Sequence, residues 1–201
     1  MTTQRDTLRW EPKVRIIKYS ADQTAAITEM LGHTPSGPEL RELEALGTIE
    51  PDEITPWMHG NLIVTVGLSR FMKLFAGEAV DPFNFAKGFI AVGDSSTAAA
   101  AGDTDLVAAT NKYYRPLDAT PTTSTAGTVS AAATFVGGIA EWAWNEWCIG
   151  IASNSSVTGA TTKTTAAGSS AIIVNRKVQS LGTKGASTTW TLQMSVALTS
   201  P

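Results

Sequence analysis

The segment at residues 187–198 has the most regular alternation of apolar and polar side chains in the sequence. Every second residue is large and apolar: Trp190, Leu192, Met194, Val196 and Leu198. Successive side chains of a β-strand point to opposite faces, so this period of two predicts a strand with one face in a core. The pattern indicates a mainly β protein, an antiparallel β-sandwich or a small barrel, with short helices in the N-terminal third.

Other segments of the second half also predict strands. Residues 89–92 form a short apolar run that ends at Gly93, residues 113–116 are typical of an edge strand, and residues 129–135 alternate. The long Ser, Thr, Ala and Gly segment at 153–170 predicts a hairpin loop.

Three tryptophans interrupt the alternation of apolar and polar residues in the predicted strand at 142–151. Trp142 and Trp144 have one parity, whereas Trp147 has the other. A β-bulge near Asn145 or Glu146 would bring all three indoles to one apolar face.

The N-terminal third predicts a polar arm and two short helices. Residues 1–12 form the arm, with Trp10 in it, and residues 14–19 can form a strand. Capping patterns begin helices at Ser20 and Ser36, and glycines end them. Leu40, Leu43 and Leu46 make a narrow apolar stripe on the second helix, which is too short to be stable without docking. We expect Trp10 and these leucines to contact another subunit, although the docking partner of the helix can also be its own domain.

Two prolines, Pro51 and Pro56, divide the chain into an N-terminal region at 1–60 and a β-sandwich domain at 61–201. The domain opens with a helix at about 62–76, capped by Asn61, because apolar residues recur there at helical spacing.

Charge is sparse, and this excludes several classes of function. Charged residues make up 16% of the chain, and the last 83 residues carry four basic and two acidic side chains. A surface with so little charge favours packing against neighbouring subunits. No basic stripe is present for nucleic acid, and no apolar run is long enough to cross a membrane. The polar N-terminus predicts no signal peptide and synthesis in a cytoplasm.

No pattern predicts a metal or cofactor site. His33 and His59 lie far apart with no partner at ligand spacing, which favours surface or structural roles. Asp94, Asp103 and Asp105 could supply calcium ligands, but turn formation explains them better. Cys148 lies in an apolar strand, and we expect an inert buried thiol.

Trp142, Trp144 and Trp147 could form a stacking platform for sugars, although core packing explains their parity better. Glu141 and Glu146 resemble a pair of hydrolase acids only in residue type. The basic cluster at 175–177, followed by Lys184, is interpreted as a solvated strand end. Taken together, these patterns predict a protein that is not an enzyme.

Several segments in a fixed order carry a family resemblance. They are Asn61-Leu62-Ile63 with Gly67 and Leu68, then residues 89–94, 102–106 and 144–147 with Gly150-Ile151, then 175–178 and 190–192. This order resembles structural proteins of tailed bacteriophages, over roughly residues 61–201.

The resemblance implies a non-enzymatic virion protein without a cofactor, made in the host cytoplasm. The favoured role is an accessory coat (decoration or cement) subunit that contacts other virion proteins and copies of itself, with a trimer as one arrangement. A tail, baseplate or fibre subunit is the alternative, and a carbohydrate-binding module that recognises a host-surface glycan is a further one.

Overall fold

The computed structural model describes residues 9–60, 62–124 and 127–199. Within these residues the chain forms two antiparallel sheets and four helices. Sheet 1 contains β1 (Arg9–Tyr19), β2 (Glu53–Ile54), β3 (Met58–His59), β7 (Thr122–Thr123), β8 (Thr128–Phe135) and β12 (Thr189–Thr199). Sheet 2 contains β4 (Leu62–Ile63), β5 (Gly88–Gly93), β6 (Lys112–Pro116), β9 (Ala143–Ile151), β10 (Ile172–Ile173) and β11 (Asn175–Thr183). The helices are α1 (Ala21–Leu31), α2 (Gly37–Ala45), α3 (Thr65–Phe75) and α4 (Lys163–Ala167).

The apolar residues between the two sheets form the sandwich core. Sheet 1 contributes alternate residues of β1 and β12, such as Val14, Ile16 and Leu192, and sheet 2 contributes Ile90 and Trp144 among others. The predicted mainly β sandwich is therefore confirmed, and the sheets do not close into a barrel. The alternating face of β12 points into this core as the sequence pattern predicts.

β1 pairs with β12 along its whole length, from Arg9 opposite Thr199 to Tyr19 opposite Thr189. Residues 1–8 of the predicted arm at 1–12 lie outside the described residues. From Arg9 onward the chain is a strand of sheet 1 rather than an arm. The expected division at residue 60 therefore does not follow the sheets, since residues 9–19 share a sheet with β8 and β12.

Helices α1 and α2 pack on the outer side of sheet 1, where Ile17, Tyr19, Ile27 and Leu40 form a small buried cluster. Both predicted helix starts are confirmed. The Ser20 side chain accepts from the Gln23 backbone, and Ser36 forms a full capping box with Glu39. These local contacts fix where the helices begin.

The outer side of sheet 2 is covered by loops and by α4. Phe89, Tyr114 and Cys148 pack there against residues from 152–171. The segment at 153–170 is therefore more than the expected hairpin loop, because the buried Ala166 and Ala167 of α4 pack against the sheet.

The register shift near the tryptophans lies opposite Asn145, close to where the sequence predicts a bulge. Val178 pairs with Glu146 and Gly182 with Trp144, so the extra residues belong to β11 rather than to β9. Trp144 and Trp147 both lie in the sandwich core despite their opposite parity.

Among the described residues, no helix combines the length and the apolar character needed to span a bilayer.

Candidate interaction surface

Helix α3 begins later than predicted and is attached to sheet 2 by close backbone contact. Leu62 and Ile63 pair with β11 as β4, so the helix starts at Thr65, with Val64 as an N-cap that makes no side-chain hydrogen bond. Asn61, the predicted cap, lies outside the described residues. A Cβ at Gly67 would overlap the backbone of Val174, so the glycine permits this approach.

The inner face of α3 lines an apolar cleft of about 150 Å³ at one end of the sandwich. Gly67, Phe71 and Leu74 recur at helical spacing along this face, and the cleft is completed by residues of both sheets. Arg70 lies at its rim and donates to the carbonyl of Asp81 at 2.9 Å. This face accounts for the docking of α3 on its own chain.

The apolar side of α3 extends beyond the cleft, and this flank faces solvent. Leu68, Met72 and Phe75 are spaced by four and three residues, and 48%, 53% and 82% of their respective surfaces are exposed. The apolar stripe of a surface helix normally packs against a core. We call Leu68, Met72 and Phe75 the α3 ridge. Exposed apolar side chains clustered in this way mark a surface for contact with another macromolecule.

The structure accounts for the predicted contact residues individually. Leu40 is buried in the cluster beneath α1 and α2, and Leu43 packs against the same cluster. Helix α2 therefore docks on the chain's own sheet, which is one of the two partners considered for it, and contact with another subunit stays a prediction. Leu46 is exposed. Trp10 packs partly against the sandwich core and lines the cleft beside α3.

Arg176 is fully buried, so the interpretation of residues 175–177 as a solvated strand end is wrong at this position. Its Nε lies 2.6 Å from Glu146 Oε2, and its Nη1 lies 2.9 Å from Asp103 Oδ2. Its Nη groups also donate to the carbonyls of Thr97 and Ala98.

Glu146 is equally buried and also accepts from the backbone N–H groups of Val107 and Ala108. Burial alone would lower the pKa of Arg176, but hydrogen bonds and charge from Glu146 and Asp103 raise it. The ion pairs fasten the loop at 94–111 to sheet 2, which is a structural role.

The three aspartates are hydrogen-bonded within the chain, and only the contact given for Asp103 is a local turn contact. Asp103 accepts from the backbone of Ala100, Asp105 from the hydroxyl of Tyr114, and Asp94 from the side chain of Asn111. Within the part of the chain that the structure describes, no three His, Cys, Asp or Glu side chains are grouped so that they could hold a metal ion.

The tryptophan platform for sugars is not formed, because Trp144 and Trp147 are buried in the core. Glu141 is not brought to Glu146 either. It lies at the surface, where hydrogen bonds from the backbones of Gly138 and Ser187 lower its pKa.

His33 lies 3.4 Å from Glu39 at the surface, and His59 is an exposed residue of β3. Cys148 is buried as expected, and burial raises the pKa of its thiol.

Sequence reasoning missed the α3 ridge, because it interpreted all of the helix's apolar residues as one core-facing stripe. Residues 67, 68, 71, 72, 74 and 75 cover nearly half of the helix circumference, which is wider than the part that lines the cleft. The width of this apolar side is the signal from which an additional contact surface could have been predicted.

Comparisons with models of known families, with curated proteins and with solved structures find no match.

Proposed function

We propose that this protein is a non-enzymatic structural subunit of a tailed-bacteriophage virion, an accessory coat protein that stabilises the shell through subunit contacts. The α3 ridge is the observation that carries the proposal. It provides an apolar contact surface that the chain's own sheets leave uncovered.

Two further features support a permanent assembly rather than a brief encounter. The α3 ridge is apolar, and interfaces of permanent complexes are more apolar than those of transient ones. The chain is also poor in charge, with 16% charged residues. Such a surface favours packing among subunits over life as a dilute monomer.

The test uses particles produced from the genome that encodes the chain. We expect the wild-type protein to copurify with filled particles, and image reconstruction to place it at symmetric positions on the shell. A triple variant, Leu68→Gln with Met72→Gln and Phe75→Gln, should fold normally, because about half or more of the surface of each residue is exposed. It should be lost from particles.

The matched control is Met30→Gln on α1, where an equally exposed apolar side chain lies outside the α3 ridge. This variant should be incorporated at wild-type copy number. Particles that lack the wild-type chain would contradict the proposal, and so would a triple variant incorporated as well as wild type. Density on the tail instead of the shell would reject the coat assignment in favour of a tail subunit.

A further inference from the structure

The outer face of sheet 1 is covered over only part of its area. Helices α1 and α2 cover the end near Ile17, where Arg41 of α2 reaches the Asp118 carboxylate at 3.1 Å. The adjoining part of the sheet is the floor of an open groove of about 400 Å³. Trp57 and Arg41 are among the residues that line the groove around this floor.

The floor of the groove consists of polar and small side chains in two transverse rows. The strand pairings align Lys13 with Ser195, Ser130 and Thr122 in the first row. They align Arg15 with Gln193 and Ala132 in the second row. With strands about 4.8 Å apart, the first row extends for roughly 14 Å across the sheet. Each row therefore begins at a cation, with hydroxyl groups beyond Lys13 in the first row and the amide of Gln193 beside Arg15 in the second.

Both cations contact the same indole. The Nζ of Lys13 lies 4.9 Å from the centroid of the Trp57 ring, and the Cζ of Arg15 lies 4.8 Å from it. The Nε of Arg15 also donates to the Oε1 of Gln193 at 2.8 Å. These contacts hold the two cationic groups together at the groove.

Neither cation has an acidic partner in the described part of the chain. No described carboxylate lies within 4.0 Å of Lys13 or Arg15, whereas Lys18, on the same strand, contacts Glu53. The nearby Asp118 carboxylate is already bound by Arg41 and Thr134. Glu11 lies two residues from Lys13 on β1 and is exposed, but it does not line the groove.

We propose that this groove binds an acidic saccharide, with the carboxylate or sulfate group of the sugar held by Lys13 and Arg15. Guanidinium and ammonium groups form strong charge-assisted hydrogen bonds with such oxyanions. The hydroxyl and amide groups of Ser130, Ser195 and Gln193 are suited to the sugar's own hydroxyls, since each can donate and accept.

The geometry favours a saccharide over the other anionic polymers. A nucleic acid needs several cations along a backbone, whereas this groove has two unpaired ones and Arg41, which is already paired. An acidic peptide that adds a strand needs a free sheet edge, whereas the floor of the groove is the face of a sheet. The inference goes beyond the proposed coat function and does not depend on it, because the groove and the α3 ridge share no residue.

The experiment is an NMR titration of the full ¹⁵N-labelled chain, observed at the indole N–H of Trp57 and assigned with Trp57→Phe. The probes are trigalacturonate as the acidic sugar, maltotriose as its neutral counterpart, inorganic sulfate and a short DNA duplex. We expect trigalacturonate to shift the Trp57 signal and to bind at least about tenfold more tightly than maltotriose, sulfate or DNA.

Lys13→Gln and Arg15→Gln should each weaken trigalacturonate binding by about tenfold or more. Lys73→Gln removes one exposed positive charge outside the groove and should leave the affinity unchanged. The proposal is overturned if trigalacturonate does not bind at millimolar concentration, or if the two groove variants bind it as wild type does. Equal or tighter binding of DNA, or of sulfate alone, would also overturn the assignment to a saccharide.

Discussion

Arg176 of sheet 2 and Arg15 of sheet 1 are both strand arginines, but their surroundings are opposite. Arg176 is fully buried and bound by Glu146, Asp103 and two carbonyls. Arg15 is half-buried beside Lys13 and Trp57, with no carboxylate at ion-pair distance among the described residues. A cation that serves the fold can therefore be distinguished from one that is free to bind a ligand by where its partners lie. The first has all its partners within the chain, and the second leaves positive charge at an open groove.

Lys184 is an intermediate case. Its side chain is buried, yet its Nζ donates to the carbonyl of Val136 at 3.1 Å rather than to a carboxylate. Burial lowers the pKa of Lys184 from 10.5 to about 8, although the charge of Glu141 acts in the other direction. We therefore expect substitutions at the Arg176–Glu146 pair, at Lys184 and at the groove to change stability by successively smaller amounts.

The largest effect is expected from removal of the buried carboxylate. Glu146→Gln leaves the Arg176 charge without its nearest partner, and the free energy of unfolding should fall by about 3 kcal/mol or more. Chemical denaturation monitored by tryptophan fluorescence measures the change. The matched control is Glu141→Gln at the surface, which should cost less than about 1 kcal/mol. Equal losses of stability in the two variants would show that the buried Glu146 carboxylate contributes no more to stability than the exposed Glu141 carboxylate.

A smaller effect, and a pH-dependent one, is expected at Lys184. Between the folded pKa of about 8 and the unfolded value of 10.5, the unfolded chain binds the proton more tightly than the folded chain. The penalty from Lys184 is therefore complete below pH 8 and is relieved as the pH rises toward 10.5. Relative to Lys184→Met, the wild type should gain about 1–3 kcal/mol across this window.

Denaturation of both proteins at several pH values measures this difference, because other titrations cancel between them. A stability difference that stays constant from pH 7 to pH 10.5 would show that Lys184 is not held in a desolvated environment.

The smallest effect is expected at the groove. Lys13→Gln and Arg15→Gln should each change the free energy of unfolding by less than about 1 kcal/mol, because each loses only a contact with the Trp57 ring and, at Arg15, one hydrogen bond to Gln193. The same denaturation experiment measures this. A loss above about 1 kcal/mol at either position would assign these cations to the fold rather than to a ligand.

The parts of the fold that depend on local sequence could be predicted, and those that depend on distant partners could not. The alternation at 187–198 and the caps at Ser20 and Ser36 involve neighbouring residues, and the structure confirms them. The burial of Arg176 depends on Glu146 and Asp103, which lie 30 and 73 residues away in the chain. No local pattern carries that information.

The start of α3 is a similar case. The apolar spacing extended the predicted helix to residue 62, but pairing of Leu62 and Ile63 with β11 takes these residues into sheet 2. The α3 ridge was missed for another reason, since apolar periodicity does not say which apolar residues remain exposed. Only the packing of Gly67 on Val174 fixes which face of the helix is turned inward.

Under the proposed function, a neighbouring virion subunit covers the α3 ridge. Thiol labelling of Met72→Cys tests it directly, because the native Cys148 is buried and should not react. We expect rapid modification of the free protein by a maleimide and strong protection of the same residue in purified particles. Equally rapid modification in free protein and in particles would show that no subunit covers the α3 ridge.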